Sequence, residues 1–146
     1  MEIRSARIAD TDAVNELLVQ LGYPGGGRST TAERIRSWVD DPTRAVLVAD
    51  ADGDVLGVIA VQICPFFERD GAWARITALV VADRARRQGV GARLVEAAEE
   101  FAAGHGCIRV EVTSADRRHD AHSFYKRRGY ADQTGTSTRF LRDLPQ

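Results

Sequence analysis

Residues 76–92 constrain this chain more than any other stretch. An apolar segment, Ile76-Thr77-Ala78-Leu79-Val80-Val81, runs into a basic turn holding Arg84, Arg86 and Arg87, and then into Gln88-Gly89-Val90-Gly91-Ala92. Beyond it Val90, Leu94, Val95, Ala98 and Phe101 recur at helical spacing. A buried strand therefore ends at the arginines, and a long helix, predicted over residues 90–103, begins at the glycines. Glycine lets a ligand approach the backbone closely because no Cβ intrudes. The first N–H groups of a helix lack internal partners and carry partial positive charge. Such a terminus is an anion site, and arginine matches phosphate oxygens geometrically. The combination predicts a bound pyrophosphate, although the glycines could also serve the turn alone. A Walker loop would need Gly-Lys-Ser/Thr where this chain has Gly91-Ala92-Arg93. A dinucleotide fingerprint would follow the first strand of a βαβ unit, and the spacing does not match.

The remaining elements follow from periodicity and punctuation. Ile3 to Ala6 is a short strand. Asp10 is expected to cap a helix carrying Ala13, Val14, Leu17, Leu18 and Leu21 on one face. The run Gly22-Tyr23-Pro24-Gly25-Gly26-Gly27 breaks it. A second helix is expected from Thr30 or Thr31, with Glu33 supporting its cap and Ile35, Trp38 and Val39 apolar, ending at Asp41-Pro42. Asp52-Gly53 joins two strands, Ala45–Ala49 and Val55–Ile63, as a hairpin. Pro65 ends the second of them, and Trp73–Val81 forms the next. Gly104 is a natural helix end, Cys107–Thr113 a strand, and Ala121–Arg128 a short helix closed by Gly129. One more strand pair is expected in the tail, with Arg139-Phe140-Leu141 in the last strand. This order makes one mixed α/β (α+β) domain over residues 1–146, with helices on both faces of the sheet.

Composition narrows the partners. With 146 residues, 44% hydrophobic and 28% charged, the chain can build an ordinary core. A net charge of −1 gives no global field for nucleic acid. Three local basic clusters, at Arg84–Arg87, Arg117–Arg118 and Lys126–Arg128, suit a small polyanion better than a duplex. No apolar run is long enough for a bilayer, and no signal peptide is visible. Cys64 and Cys107 read as small core residues in a reducing compartment. A cytoplasmic protein, with neither membrane nor nucleic acid as partner, is expected.

Arg86-x-x-Gly89-x-Gly91 resembles the acetyl-CoA signature of the GNAT superfamily, and the preceding strand resembles that family's fourth. The order of elements is similar over nearly the whole chain. The resemblance implies a mostly antiparallel GNAT-like sheet, with acetyl-CoA as cosubstrate. It also implies that the backbone of Leu79, Val80 and Val81 pairs with the pantetheine arm, and that Arg86, Arg87, Gln88, Gly89, Val90, Gly91 and Ala92 cradle the pyrophosphate. A second segment, Ala121-His122-Ser123-Phe124-Tyr125-Lys126-Arg127-Arg128-Gly129-Tyr130, resembles the family's other motif, in which Phe124 packs and Gly129 ends the helix.

Acetyl transfer to an amine expels the coenzyme A thiolate, which a nearby acid can protonate. A phenol, with a pKa of about 10, stays protonated at neutral pH and can donate. The resemblance implies that Tyr125 is this catalytic acid. The amine must also lose a proton, and for an alkylammonium of pKa about 10.4 that costs about 4–5 kcal/mol at pH 7. Many family members place a glutamate on the fourth strand for this purpose; this chain has Arg75, Thr77 and Ala78 there. Glu68, Asp70, Glu111 and Asp116 are the alternative carboxylates. His119, His122 and Asp120 form an incomplete ligand set, so no metal is expected, and a helix cap is the simpler role for His119-Asp120.

The stretch Arg118-His119-Asp120-Ala121-His122-x-Phe124-Tyr125 is similar to aminoalkylphosphonate N-acetyltransferases, which act on small amines bearing an anionic group. The expected activity is acetylation of a primary amine on a small molecule. Alternatives are protein or peptide N-terminal acetylation, or a non-catalytic acyl-CoA sensor. Substrate contacts are expected from the loops at 22–28 and 66–71. An exposed edge on the C-terminal strands would permit a homodimer.

Overall fold

A computed structural model describes residues 1–23, 27–113 and 119–146. The period-two segments become β1 (Glu2–Ser5), β2 (Arg44–Ala51), β3 (Asp54–Pro65), β4 (Ala72–Val81) and β5 (Cys107–Val112). These strands stand in that spatial order in one sheet. The first three junctions are antiparallel and β4–β5 is parallel, so the sheet is mixed and mostly antiparallel, as expected. The helical segments become α1 (Thr11–Leu21), α2 (Arg28–Val39), α3 (Val90–Gly104) and α4 (His119–Arg127). By its contacts the chain divides into two compact units, Met1–Thr113 with the sheet and α1 to α3, and Ser114–Gln146 with α4.

α3 buries one stripe against the sheet: Val90, Leu94, Val95, Ala98 and Ala102 are at most 2% exposed. Ala102 takes the core position expected for Phe101, whose ring instead lies 4.4 Å from the His105 ring. Gly57 makes the close fit possible. A Cβ there would stand 3.0 Å from Leu94 Cδ1 and from the Val80 carbonyl oxygen, and 3.2 Å from Val90 Cγ1. Along β3 the residues sharing Gly57's face, Val55, Ile59, Val61 and Ile63, are all buried. The opposite face is only half covered. α1 packs against β3 and β4 and α2 against β2, and Val58 and Val80 are buried, whereas Ala60, Gln62 and Cys64 are partly open.

Asp10 begins α1 without capping it by side chain. Its carboxylate is taken elsewhere: Arg4 Nη1 and Nη2 donate to it at 2.8 and 2.9 Å, and the Arg7 amide at 2.8 Å. Arg4 Nε also donates to Asp50 at 3.0 Å, which ties β1 to the end of β2. α2 starts at Arg28, earlier than expected. Thr31, expected near its cap, lies inside it and donates to Asn15 Oδ1 at 2.8 Å, holding α2 to α1.

The expected C-terminal strand pair does not form. After α4 the described residues contain no strand. An Asx turn from Asp132 to the Thr134 amide at 2.9 Å diverts the chain instead. Phe140, Leu141 and Leu144 are exposed, and the edge invoked for a homodimer is not present. Cys64 and Cys107 are half-buried rather than fully enclosed.

Candidate active site

The site begins with a register defect. Val61 pairs with Ile76 and Ala60 with Ala78, so Thr77 is an extra residue in β4, a bulge. Pairing of β4 with β5 stops at Ile76–Val112, one residue before Thr77, whereas pairing with β3 continues to Gly57–Val81. A bulge bends its strand and disrupts the ladder, and here the pairing with β5 ends beside it. Among the described residues, β4 from Thr77 to Val81 has a sheet partner on one side only. Leu79, Val80 and Val81 occupy this stretch.

The far end of the stretch is clamped. Gln20 of α1 donates from Nε2 to the Val81 carbonyl at 2.8 Å and accepts at Oε1 from the Asp83 amide at 3.1 Å. The Val81 carbonyl is therefore already engaged. Nothing in the sequence marks Gln20, a polar residue on an otherwise ordinary amphipathic helix.

Beyond the clamp, a short turn at Asp83–Ala85 leads into Arg86 and Arg87. Arg87 and Gly89 both have left-handed backbones, φ 67° and 78°. For arginine this conformation is strained by about 1 kcal/mol or more; for glycine it is free. Gly89 is the N-terminal flanking residue of α3, and no side chain caps the helix. The first intrahelical bond runs from the Arg93 amide to the Gly89 carbonyl at 3.2 Å. The amides of Val90, Gly91 and Ala92 thus face outward from the first turn, while the Val90 side chain is core.

The arginines are not equivalent. Arg84 Nη2 is bound to Asp54 at 2.6 Å and Arg86 Nε to Asp83 at 3.1 Å. Arg87 has no ion pair among the described residues. Of the expected basic cluster it supplies the uncompensated charge beside the helix terminus.

At the other end, two residues before the bulge, Arg75 of β4 faces Glu111 of β5. Arg75 Nη1 donates to Glu111 Oε1 at 2.6 Å, and Nη2 to Thr113 Oγ1 at 3.0 Å. Gln62 is Arg75's partner on β3, on the half-covered face. Burial pushes the Cys64 thiol up, and the neighbouring Glu111 charge adds to this. Glu68 and Asp70 lie exposed in the β3–β4 turn. Asp116, Arg117, Arg118 and Pro24 to Gly26 fall outside the described residues.

In the second unit, α4 carries Tyr125, partly buried between Phe124 and Tyr130 with ring centroids at 5.2 and 5.6 Å. The helix closes as expected at Gly129: the Gly129 amide bonds to the Lys126 carbonyl at 3.1 Å and the Tyr130 amide to the Tyr125 carbonyl at 3.1 Å. The Arg128 guanidinium lies 4.2 Å from the Phe124 ring centroid. The cap expected around His119 rests on residues outside those described. Among the described residues no three His, Cys, Asp or Glu side chains gather as a metal site would require, and no helix is long and apolar enough to cross a membrane.

A strand with one open edge, ending at an uncapped helix terminus that follows two left-handed residues, defines a site for an extended ligand with an anionic end. The sequence model of the acetyltransferase (GNAT) family matches residues 12–130, and the chain belongs to that family. It is 32% identical over 130 residues, 88% of this chain and 84% of the other, to an aminoalkylphosphonate N-acetyltransferase of Salmonella typhimurium. A putative acetyltransferase structure from Agrobacterium tumefaciens covers 99% of this chain and 100% of its own at TM-score 0.85 and 22% identity. An aminoglycoside N-acetyltransferase in complex with CoA covers 99% and 100% at TM-score 0.80 and 16% identity. The chain is thus an N-acetyltransferase that transfers acetyl groups to amines, and acetyl-CoA is its donor. The residues fit that donor: outward amides and Arg87 for a diphosphate, and an open β4 edge for an amide-bearing arm.

Proposed function

We propose that this enzyme acetylates the primary amine of a small molecule by direct transfer from acetyl-CoA, and that residues 1–146 serve this one reaction. The observation that carries the reading is the one-sided stretch of β4 from Thr77 to Val81, which leads from the Arg75–Glu111 pair to the uncapped start of α3. In this reading the amides of Gly89 to Ala92, with Arg86, Arg87 and Gln88, bind the pyrophosphate. Leu79, Val80 and Val81 align the pantetheine arm. The arm then delivers the thioester towards the bulge at Thr77.

The amine nitrogen attacks the thioester carbonyl, the C–N bond forms, and the C–S bond breaks. Tyr125 gives its phenolic proton to the departing sulfur and recovers one from the nitrogen as the amide forms. The similarity to an aminoalkylphosphonate N-acetyltransferase over 88% of the chain supports a small acceptor, one bearing an anionic group.

The test is thiol release from acetyl-CoA with a panel of amines, aminoalkylphosphonates included, for the wild type and Tyr125→Phe. Turnover of small amines by the wild type is expected, with kcat about 10²-fold lower in the variant and acetyl-CoA affinity unchanged. Binding of acetyl-CoA without turnover of any small amine would reject the reading.

A further inference from the structure

We propose that Glu111 is the group that takes the proton from the acceptor ammonium, with Arg75 as its positioning residue. This inference rests on the acetyltransfer reading above. β4 carries no carboxylate of its own, and the fold brings one in from the neighbouring strand. Parallel pairing with β5 places Glu111 opposite Arg75, the last but one pair before the strands part. The carboxylate therefore stands at the mouth of the fork, where the open edge of β4 begins at Thr77. Its side chain is 44% exposed, so an incoming amine can reach it.

Arg75 holds one oxygen, Oε1, at 2.6 Å and is itself fixed by Thr113 at 3.0 Å. Among the described residues no donor reaches the second oxygen, Oε2, which is the one left to meet an ammonium. Glu68 and Asp70 cannot serve the same point. They lie beyond Ala72, and Ala72 to Thr77 alone spans about 16 Å of extended strand. The Cys64 thiol beside Glu111 is pushed away from ionisation by burial and by the Glu111 charge, so it does not compete as a base.

The protons balance. The ammonium N–H passes to the Glu111 carboxylate, leaving a neutral amine and a carboxylic acid. The amine lone pair then attacks the thioester, and Glu111 returns its proton to water. Overall, ammonium and acetyl-CoA give amide, coenzyme A thiol and one released proton.

The experiment compares wild type, Glu111→Gln, Glu111→Asp and Arg75→Lys with two acceptors. One is the best alkylamine of the panel, protonated at pH 7; the other is methoxyamine, which is already neutral there. Glu111→Gln is expected to lose about 10²–10³-fold in kcat/KM on the alkylamine at pH 7. The deficit should shrink about tenfold per pH unit as the free amine becomes available, and be nearly absent with methoxyamine. Acetyl-CoA affinity should stay at the wild-type value, which also reports that the variant is folded. Glu111→Asp should retain part of the rate, and Arg75→Lys should lower kcat more than it raises KM. An equal deficit for both acceptors at every pH, or none at all, overturns the assignment. A wild type that binds acetyl-CoA yet acetylates neither acceptor overturns the small-amine reading instead, and the assignment with it.

Discussion

Gln20 bridges two backbone positions on either side of Ala82: its amide nitrogen holds the Val81 carbonyl at 2.8 Å and its oxygen holds the Asp83 amide at 3.1 Å. A helix on one face of the sheet thereby fixes the angle at which β4 delivers the chain to the turn before α3. Gln20→Ala removes both bonds and leaves two backbone groups to water, at about 1–2 kcal/mol. Acetyl-CoA affinity should fall about tenfold by titration calorimetry, with little change in kcat at saturation. Gln20→Glu keeps one acceptor and loses the donor, so its affinity should lie between the two.

Gly89 tests the helix terminus. An added Cβ meets nothing within 4 Å there, so only the backbone angle of φ 78° resists substitution. Gly89→Asn, which tolerates left-handed geometry, should bind acetyl-CoA nearly normally. Gly89→Ala should cost about 1 kcal/mol of stability. Gly89→Asp places a negative charge against the diphosphate and should weaken binding by 10-fold or more, an ordering that titration of the three variants would read directly.

Packing at Gly57 is the opposite case. Its backbone is unstrained, but a Cβ would press on the Val80 carbonyl at 3.0 Å, a backbone atom inside the sheet. Gly57→Ala should therefore destabilise by about 1–3 kcal/mol, read as a lower Tm. Because the displaced atoms belong to β4 and the first turn of α3, acetyl-CoA binding should weaken in parallel.

Acid stability should depend on Asp10. Its carboxyl is held below the ordinary carboxylate range, first by hydrogen bonds from Arg4, against the effect of burial, with the Arg7 amide adding to the shift. A depressed folded-state value contributes stability that is complete above the unfolded carboxylate value of about 3.9 and is lost as pH falls through the folded value. Urea denaturation from pH 7 to pH 2 should show wild-type stability falling over that acid window. Asp10→Asn, which leaves the Arg4 charge short of a partner, should start about 3 kcal/mol lower at pH 7 and fall less steeply. The slope that remains belongs in part to Asp50, whose carboxyl is also lowered by Arg4 and by the Gly53 amide.

Much of this molecule was legible in its residues. The apolar run at 76–81, the glycines at 89 and 91, and the helical spacing from Val90 to Ala98 located β4, the turn after it and α3 because each obeys a local rule. Gly57 carried a signal as well, since an isolated glycine inside a strand marks close approach. Thr77 carried none: a bulge is a mismatch between two strands, and one strand's sequence does not contain it. Gln20 and the Arg75–Glu111 pair depend likewise on which distant segments meet. The tail misled for the same reason: Arg139-Phe140-Leu141 has strand-like composition, yet no strand forms there.

The extra residue at Thr77 gives the cosubstrate groove an arithmetical basis. Where pairing with β5 ends, β4 carries one residue more than its partner on β3 can match. Point substitutions at 77 that keep the backbone length should leave the groove open whatever the side chain. Deleting that residue would bring β4 back into register with β3 and turn the residues beyond it to the opposite face, leaving every proposed binding side chain in the chain but weakening acetyl-CoA affinity.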